Sequence, residues 1–505
     1  MGDNPLAYVG IYNVLRLQIL SGEYQKGEKL PSRSALSELY HTSGKTIRRV
    51  VDLLCQEGLI ERREKAAPRV IYDLTQEKDN ELYRNPHWLA EHAQQSELRN
   101  MLDYMDSATL IGAAVIKRAL AVCAAPGHER LWDDLETILE SMSAEEQAAG
   151  PFWRSSTLFW KRIIAQLDNA YILNLLVRLG YFWIAPRPST QASRQAYWES
   201  LKSILLGLRH GDGAIMMAYF SFSAQYLRGE DFMGQAILYP PKPAFFGDIE
   251  EIKSYMAQTE RYTKRIYLDL LGHIYLENYQ AGDFLPSHET LCQKYGVSHK
   301  TTTQAVKVLQ EMGIVKSIRW HGIQMQISSE DLREQKIELA EMIKRLRRIL
   351  DQLQLAAITV EAIILYAMEP ITEEETQHIY QRLQARSQIE LMDRPDFLLE
   401  SICAHIRYPL LKTFYQKAMD DVTKGGMIGY SSKTKTELVE LNQMALEAAA
   451  FLSQGQQEAF AQKMAQLMER AYAQMKESIW QAGYGEEVAA AYTQESLYQG
   501  EVLMI

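Results

Sequence analysis

The sequence predicts a mainly α-helical protein of two similar halves, each with a small module of three helices and a β-ribbon followed by an all-α helical bundle. The first observation behind this prediction is a duplication. Residues 30–46, LPSRSALSELYHTSGKT, return 255 positions later as residues 285–301, LPSHETLCQKYGVSHKT, and the same shift pairs 18 identical residues between Ile11 and Gly58 without a gap. The second observation is the helical period of the apolar residues in the long segments that follow each copy. A repeat of half the chain is too long for a solenoid and indicates a whole module duplicated in tandem.

Length and composition place the chain among globular proteins with several domains. The 505 residues are 47% hydrophobic and 23% charged, which suits about three or four domains with ordinary cores. The four cysteines have no paired spacing, which favours reduced thiols, and no run of about 18 apolar residues indicates a membrane span. The first residues contain no basic stretch followed by an apolar one. We therefore expect a cytoplasmic protein that contacts no membrane.

The charge is distributed unevenly along the chain. A formal net charge of −10 argues against a generally basic nucleic-acid binder. Residues 8–72, which contain the first repeated module, nevertheless carry +4, and residues 263–327, which contain the second, carry +2, which leaves −16 for the remainder. Two mildly basic modules on an acidic body are expected if only the modules contact phosphate groups.

Glycine, proline and serine divide each module into three helices. In the first copy an amphipathic helix ends before Gly27, and Pro31 begins a second short helix that ends near Tyr40. Ser43 is predicted to cap the N-terminus of a third helix, which Gly58 ends. The second copy has the same helix-starting and helix-ending residues, with Ser298 as the predicted cap of its third helix.

A ribbon after the third helix completes the module. Residues 59–63 and 69–72 alternate in polarity and predict two paired strands. Three helices and a ribbon within about 65 residues make a winged helix-turn-helix, whose third helix lies in the major groove of DNA. Arginine and lysine there bind phosphate or guanine, and threonine binds phosphate or contacts a thymine methyl. A solvated basic helix face is the alternative, which the ordered turn, cap and ribbon make the weaker one. The exposed residues predicted on this face are Lys45, Thr46, Arg48 and Arg49.

The order of these motifs resembles the GntR family of bacterial transcriptional regulators. The family's motifs run in the order LPSEREL, VSRTTVRRAL, EGLI and a glycine-rich wing. The first copy has the corresponding order of Gly27, LPSR, TSGKTIRR and EGLIERR, and the match covers about 60 residues in each copy. The resemblance implies double-stranded DNA as the partner. By position it implies DNA contacts for Lys45, Thr46, Arg48 and Arg49, with Arg33 in support, and for Lys300, Thr301, Thr303 and Gln304 of the second copy.

Both copies depart from the family pattern, the second more than the first. The wing glycines are missing, apart from Gly322 in the second copy. We expect weaker or more shape-dependent reading of DNA by the second module, and loss of its DNA binding is the alternative. The replacements are Ser34 and Glu289 for the arginine of LPSER, Gly44 and His299 for the arginine after the cap serine, and Thr303 at the position of Arg48.

The predicted domain boundaries follow from the repeat and from a proline-rich connector. The connector includes LYPPKPAFFGD, whose prolines favour a stiff, extended chain. The helix-period segments on either side predict all-α bundles. The predicted boundaries are 1–75 and 259–328 for the winged helix-turn-helix domains, 76–230 and 329–505 for the helical domains, and 231–258 for the linker.

Part of each helical domain resembles the FadR-type effector domain. LFWKRIIAQLDNAYILNLL, residues 158–176, is similar to a segment of that domain, with Phe159 and Asn169 at matching spacing, and residues 395–414 resemble it less closely. The resemblance implies a small organic effector in a mostly apolar pocket. A packed aromatic core is the alternative interpretation of the dense aromatic residues. The candidate effector-binding residues are Trp160, Arg162 and Arg178.

The metal site of that effector domain does not carry over. The residue expected to be histidine is Trp160 in the first domain and Leu398 in the second, so we expect neither a metal nor a cofactor.

The sequence therefore predicts a DNA-binding transcriptional regulator with two unequal readers in one chain. Such a chain is expected to act as a pseudo-dimer on an imperfect or asymmetric site, with an effector that changes its DNA affinity, and further self-association is left open. The alternative function is a protein-interaction scaffold built on degenerate winged-helix modules. An enzyme is not expected, because the chain has neither the strand-helix alternation of an α/β domain nor the GxGxxG, P-loop, GxSxG or HExxH motifs.

Overall fold

The computed structural model of the chain has two compact units, one within Met1–Tyr255 and one within Met256–Thr493. The predicted linker, 231–258, lies outside the described residues, as do residues 63–66 of the first wing. The structure describes residues 7–20, 22–40, 42–62, 67–73, 96–142, 149–178, 191–213, 262–276, 278–318, 320–336, 338–384, 394–409, 411–413, 415–416, 418–419 and 435–491.

The first module has the predicted three helices and ribbon. Helices α1 and α2 both pack on α3, and the predicted apolar face of α3, including Ile47 and Leu54, is fully buried. The second helix begins at Arg33, because Ser32 serves as its N-cap, two residues after the predicted start at Pro31. Gly58 follows α3 with φ 76°, a left-handed conformation that favours glycine. The elements are α1 (Ala7–Leu20), α2 (Arg33–Leu39), α3 (Gly44–Gln56), β1 (Ile60–Glu61) and β2 (Arg69–Val70).

The helical domain of the first unit surrounds one central helix. Helix α6 packs against α4, α5 and α7, α8 packs on α5, and α7 also contacts α1 of the winged helix-turn-helix. The all-α prediction for this domain is confirmed over its described part. The helices are α4 (Ser96–Cys123), α5 (Glu129–Ser141), α6 (Ala149–Ala165), α7 (Ala170–Arg178) and α8 (Gln191–His210).

The second module repeats the first and adds a strand. Its sheet has the order β3-β5-β4, so the predicted two-stranded ribbon is a three-stranded sheet here. In the first module Lys29 stands at the position of Phe284 in β3, and it forms a single bridge with Arg69. The elements are α9 (Tyr262–Leu276), β3 (Phe284–Leu285), α10 (His288–Tyr295), α11 (His299–Glu311), β4 (Val315–Ile318) and β5 (Gly322–Met325).

The two wings have the same register. Ile60 pairs with Val70 in the first, and Val315 pairs with Met325 in the second, at positions related by the 255-residue shift. The number of residues between these paired positions is therefore equal in the two copies, so the 255-residue shift relates the two wings position by position in sequence.

The helical domain of the second unit is built around two long helices, α13 and α17, that pack along each other. Helix α17 also packs on α16, and α14 and α15 pack on α16. The short helix α12 begins with a capping box in which the Ser328 and Asp331 side chains each bond the other's backbone N–H. The helices are α12 (Ser329–Gln335), α13 (Leu339–Tyr366), α14 (Glu373–Gln384), α15 (Arg394–Ala404), α16 (Lys435–Ser453), α17 (Gln457–Gln481) and α18 (Gly485–Ala489).

Helix α13 is both long and apolar. Its 28 residues are long and apolar enough to cross a membrane by length and composition alone, with a mean hydropathy of 1.5 in the best window. That window is 61% buried inside the protein, and α13 also carries the buried residues Arg345, Arg347 and Asp351. Contacts with α17 and with α9 of the winged helix-turn-helix cover the helix, as expected for a core helix of a folded domain.

Candidate nucleic-acid interface

A serine cap fixes the start of α3, as predicted. The backbone N–H of Thr46 donates to Ser43 Oγ at 3.2 Å, and the Ser43 and Thr46 hydroxyl oxygens lie 2.9 Å apart. This geometry places the first turn of α3 at the surface, with its backbone N–H groups at the end of the helix that attracts anions. Gly44 and Lys45 are exposed in the same turn, and Thr46 is half-buried.

The predicted DNA-contacting residues of α3 lie on the side opposite the core. Lys45, Arg48 and Arg49 are exposed, while Val50 and Val51 are buried in the module core. One helix thus buries its apolar side and presents three cations to solvent. The supporting candidate, Arg33, is exposed at the first position of α2.

An ion pair that is buried on its arginine side only fixes the far end of α3. Arg16 of α1, which is 3% exposed, donates through Nε to both carboxylate oxygens of Glu57 at 2.7 and 2.9 Å. Tyr12 donates its hydroxyl to the same carboxylate at 2.6 Å. Burial and the hydrogen bond to Glu57 raise the pKa of Tyr12 to about 12, so the phenol remains a donor at neutral pH. The sequence did not reveal this anchor, since its partners lie 41 and 45 positions apart.

The second module presents a different surface on the same scaffold. The backbone N–H of Thr301 donates to Ser298 Oγ at 3.4 Å, which confirms the predicted cap. Lys300, Thr303 and Gln304 are exposed on α11, and Thr301 is half-buried. The Thr303 hydroxyl donates to the backbone oxygen of His299 at 2.7 Å, so this side chain folds back on its own helix. Lys300 is therefore the one cation among the four predicted contact residues of this helix.

The first module is bound to its own helical domain through the loop after α1. Arg154 of α6 donates to the backbone oxygen of Glu23 at 2.6 Å and lies 3.3 Å from the Glu28 carboxylate. Its guanidinium also stacks over the Tyr24 ring, 5.0 Å from the centroid. A Cβ on Gly150, one turn earlier on α6, would lie 2.9 Å from the Glu23 oxygen, so the two backbones approach closely at this point. The loop and α6 form one packed junction.

The second module is bound to its helical domain through a different element. Arg345 of α13 donates through Nε to Asp269 of α9 at 2.8 Å, with the two side chains 2% and 3% exposed. A more exposed pair, Lys264 with Glu341, joins the same two helices at 2.9 Å. The buried pair ties the first helix of the winged domain directly to the long core helix.

One of the three candidate effector residues, Trp160, lies in a packed aromatic cluster of the first unit. Trp160 is 8% exposed and donates its indole N–H to the Tyr197 hydroxyl at 3.1 Å. Phe152 and Trp153 pack edge to face at 4.9 Å, and Trp153 lies 5.2 Å from the Tyr197 ring. Arg162 is half-buried on α6. Arg178 ends α7, but its side chain lies outside the described residues.

The described residues contain no group of three or more His, Cys, Asp or Glu side chains that could hold a metal ion.

Comparison with known proteins gives the class to which both modules belong. Residues 7–70 and 262–324 each match the bacterial regulatory proteins of the gntR family. The chain therefore carries two copies of the DNA-binding domain of GntR-family transcription regulators, each followed by helical segments. Among solved structures, Streptococcus agalactiae GntR is 16% identical, with 43% of this chain and 97% of that chain covered and a TM-score of 0.20. None of the curated proteins matches the chain.

Proposed function

We propose that the chain is a sequence-specific DNA-binding transcriptional regulator that reads an asymmetric site with two unequal modules. The observation that carries this proposal is the cationic face of α3, with Lys45, Arg48 and Arg49 exposed opposite a fully buried apolar face. The serine cap and the Glu57 anchor hold both ends of that helix, so the cations project from a rigid element. Rigid presentation of arginine and lysine on the third helix suits phosphate and guanine recognition in the major groove.

The two modules are proposed to act together as a pseudo-dimer within one chain. Because both are in the same polypeptide, binding of one raises the effective concentration of the other at a neighbouring half-site. The half-sites are proposed to differ, since Thr303 and Gln304 occupy the positions of Arg48 and Arg49. The first module is proposed to supply most of the phosphate contacts, and the second a weaker, less salt-dependent contribution.

The proposed route from an effector to DNA passes through α6. One side of this helix carries Gly150 and Arg154 to the loop of the first winged module, and another carries Ser156 and Trp160 to the aromatic cluster around Tyr197. A small organic molecule that bound one arrangement of this cluster more tightly than another would shift α6 and the loop with it.

The test is selection of DNA by the full chain. Fragmented genomic DNA from the host would be incubated with the wild-type chain, with Arg48→Ala/Arg49→Ala, and with the matched control Thr303→Ala/Gln304→Ala. We expect the wild type to enrich a few sites and the first variant to lose them. The control is expected to retain the sites with reduced preference in one half only.

The salt dependence of binding to an enriched fragment gives a second readout. Removing two arginines that contact phosphate should lower the slope of log K against log salt by about 1 to 2. Enrichment of the same sites by Arg48→Ala/Arg49→Ala with an unchanged slope would refute the proposed role of α3. No enrichment by any variant, with or without host metabolites, would favour a protein-interaction scaffold.

A further inference from the structure

We propose that the wing of the second module contacts DNA through an aromatic side chain, Trp320, whose neighbours in sequence are basic. The proposal rests on the proposed DNA-binding function and names a contact that the recognition helix does not make. Trp320 is 89% exposed, the largest exposed fraction among the large hydrophobic side chains of the described residues.

The hairpin holds Trp320 at its tip in a defined conformation. Ile318 and Gly322 form the last pair of the two strands, and the His321 backbone N–H donates to the Ile318 oxygen at 3.0 Å to close the turn. Trp320 has φ 67°, a left-handed conformation that bulky L-residues rarely adopt. Strain of this kind in a closed turn is often found where a side chain is held for a function. The indole is thus directed away from the core by a turn that restricts its backbone.

The equivalent positions of the first wing are cationic. Because the two wings share the same register, the 255-residue shift relates Trp320 to Lys65, and Phe284 to Lys29. Phe284 is itself 46% exposed in β3, and its ring lies 3.7 Å from where a Cβ on Gly322 would be. By sequence, two lysines of the first module are therefore replaced by two aromatic residues, both of which are exposed in the second module.

The neighbouring residues favour nucleic acid as the occupant. The tip reads Arg319-Trp320-His321, and Lys316 is exposed on β4. An aromatic ring beside cations is the combination that stacks on a base or sugar while the cations approach phosphates. A protein partner would need about 800 Å² on each side of a stable interface, whereas one tryptophan buries about 150 to 250 Å². A ring that protrudes from the tip of a narrow hairpin is better matched to a DNA groove or a base step, where apolar wedges are used.

The test compares equivalent positions of the two wings in the full chain. Affinity for a fluorescein-labelled duplex, taken from the fragment that the wild type enriches most strongly, would be measured at several salt concentrations. The variants are Trp320→Ala, Trp320→Phe and, as the matched control, Lys65→Ala. Circular dichroism would confirm that these substitutions leave the fold unchanged.

The two wings should respond differently. Loss of one stacked ring should weaken binding roughly 5- to 100-fold at every salt concentration, with an unchanged salt slope, and phenylalanine should restore most of the affinity. Lys65→Ala should instead lower the salt slope by about 1. Wild-type affinity in Trp320→Ala would overturn the proposal, and so would a loss that phenylalanine does not restore.

Further outcomes distinguish a DNA contact of Trp320 from a protein-docking role and from failure of the proposed function. If Trp320→Ala binds DNA normally but loses self-association in analytical ultracentrifugation, the wing is a protein-docking surface and the proposal is wrong. If Arg48→Ala/Arg49→Ala loses DNA while Trp320→Ala does not, only the Trp320 contact fails. If the wild type itself binds no DNA, the proposed function fails together with this contact.

Discussion

Replacing Asp269 by valine should destabilise the second unit more than any exposed charge change in it. Asp269 accepts from Arg345 at 2.8 Å with both side chains almost completely buried, so the substitution leaves a guanidinium in the core without that carboxylate. Valine is the matched choice because Val14 occupies the equivalent position of the first module. Breaking one side of a buried pair typically lowers the free energy of unfolding by about 3 to 5 kcal/mol.

Two control variants have smaller expected effects on the free energy of unfolding. Replacing both partners, Asp269→Val with Arg345→Met, removes the uncompensated charge, so stability should return to within about 1 kcal/mol of the wild type or exceed it. Glu341→Gln weakens a pair whose side chains are 41% and 38% exposed, and solvent screening limits that loss to about 1 kcal/mol or less. The three variants therefore separate the cost of a buried charge from the general effect of mutation at the junction of α9 and α13.

Urea titration read by hydrogen-exchange mass spectrometry can measure these differences for the second unit alone. Peptides from α9 and α13 report the junction independently of the first unit. With a urea slope of about 3 kcal/mol per M, the single variant should unfold about 1 to 1.7 M earlier than the wild type. A shift below about 0.3 M, or a double variant as unstable as Asp269→Val, would refute the reasoning.

Three other predictions concern the caps, the junction and a buried histidine. Ser43→Ala and Ser298→Ala should each lower stability by about 1 kcal/mol in urea titrations, whereas aspartate at either position should preserve it; equal stability of the alanine variants would contradict the cap assignment. Arg154→Ala should lower stability of the first unit by about 1 to 3 kcal/mol and increase hydrogen exchange in residues 22–28, and unchanged exchange there would show that the junction does not depend on this side chain. Burial, with a smaller effect of Lys294, lowers the pKa of His273 from 6.5 to about 3. Between these two pH values the histidine is protonated in the unfolded chain and neutral in the folded unit. The free energy of unfolding should thus fall by about 1.4 kcal/mol per pH unit as the pH drops from 6.5 toward 3, and His273→Gln should remove this part of the slope; the same slope in both proteins would exclude the histidine as its source.

Local signals explain which parts of the fold could be predicted. Serine caps, helix-ending glycines and apolar periodicity act within a few residues, and the structure confirms Ser43, Ser298 and Gly58 in these roles. The third strand of the second sheet was not predicted, since Phe284–Leu285 becomes a strand only by pairing with residues 323 and 324, nearly 40 positions later. The same holds for Arg154, whose partners lie more than 120 positions away.

The candidate DNA-contacting residues could be predicted by position because they lie on a helix whose buried face was evident. Once Ile47, Val50 and Leu54 are placed inward, helical geometry leaves Lys45, Arg48 and Arg49 outside. Trp320 gave no such signal, because the sequence does not show which residues pack around the tip of a hairpin. The effector residues remain a prediction.

The two modules place an ion pair at different positions of the scaffold that they share. Arg16 and Glu57 form a partly buried ion pair inside the first module, and the 255-residue shift places Leu271 and Met312 at the same positions in the second. The second module instead places its buried ion pair at Asp269, at the junction with its helical domain. A buried ion pair and a well-packed apolar pair can give similar stability, but the ion pair fixes relative orientation more strictly because its hydrogen bonds are directional. The first module therefore has an ion pair within it in addition to its junction through Arg154, whereas the buried pair of the second module lies at the junction with its helical domain. Neither ion pair includes a residue of the cationic face of α3 or of the wing that carries Trp320. These two surfaces can therefore differ between the copies while the scaffold stays the same.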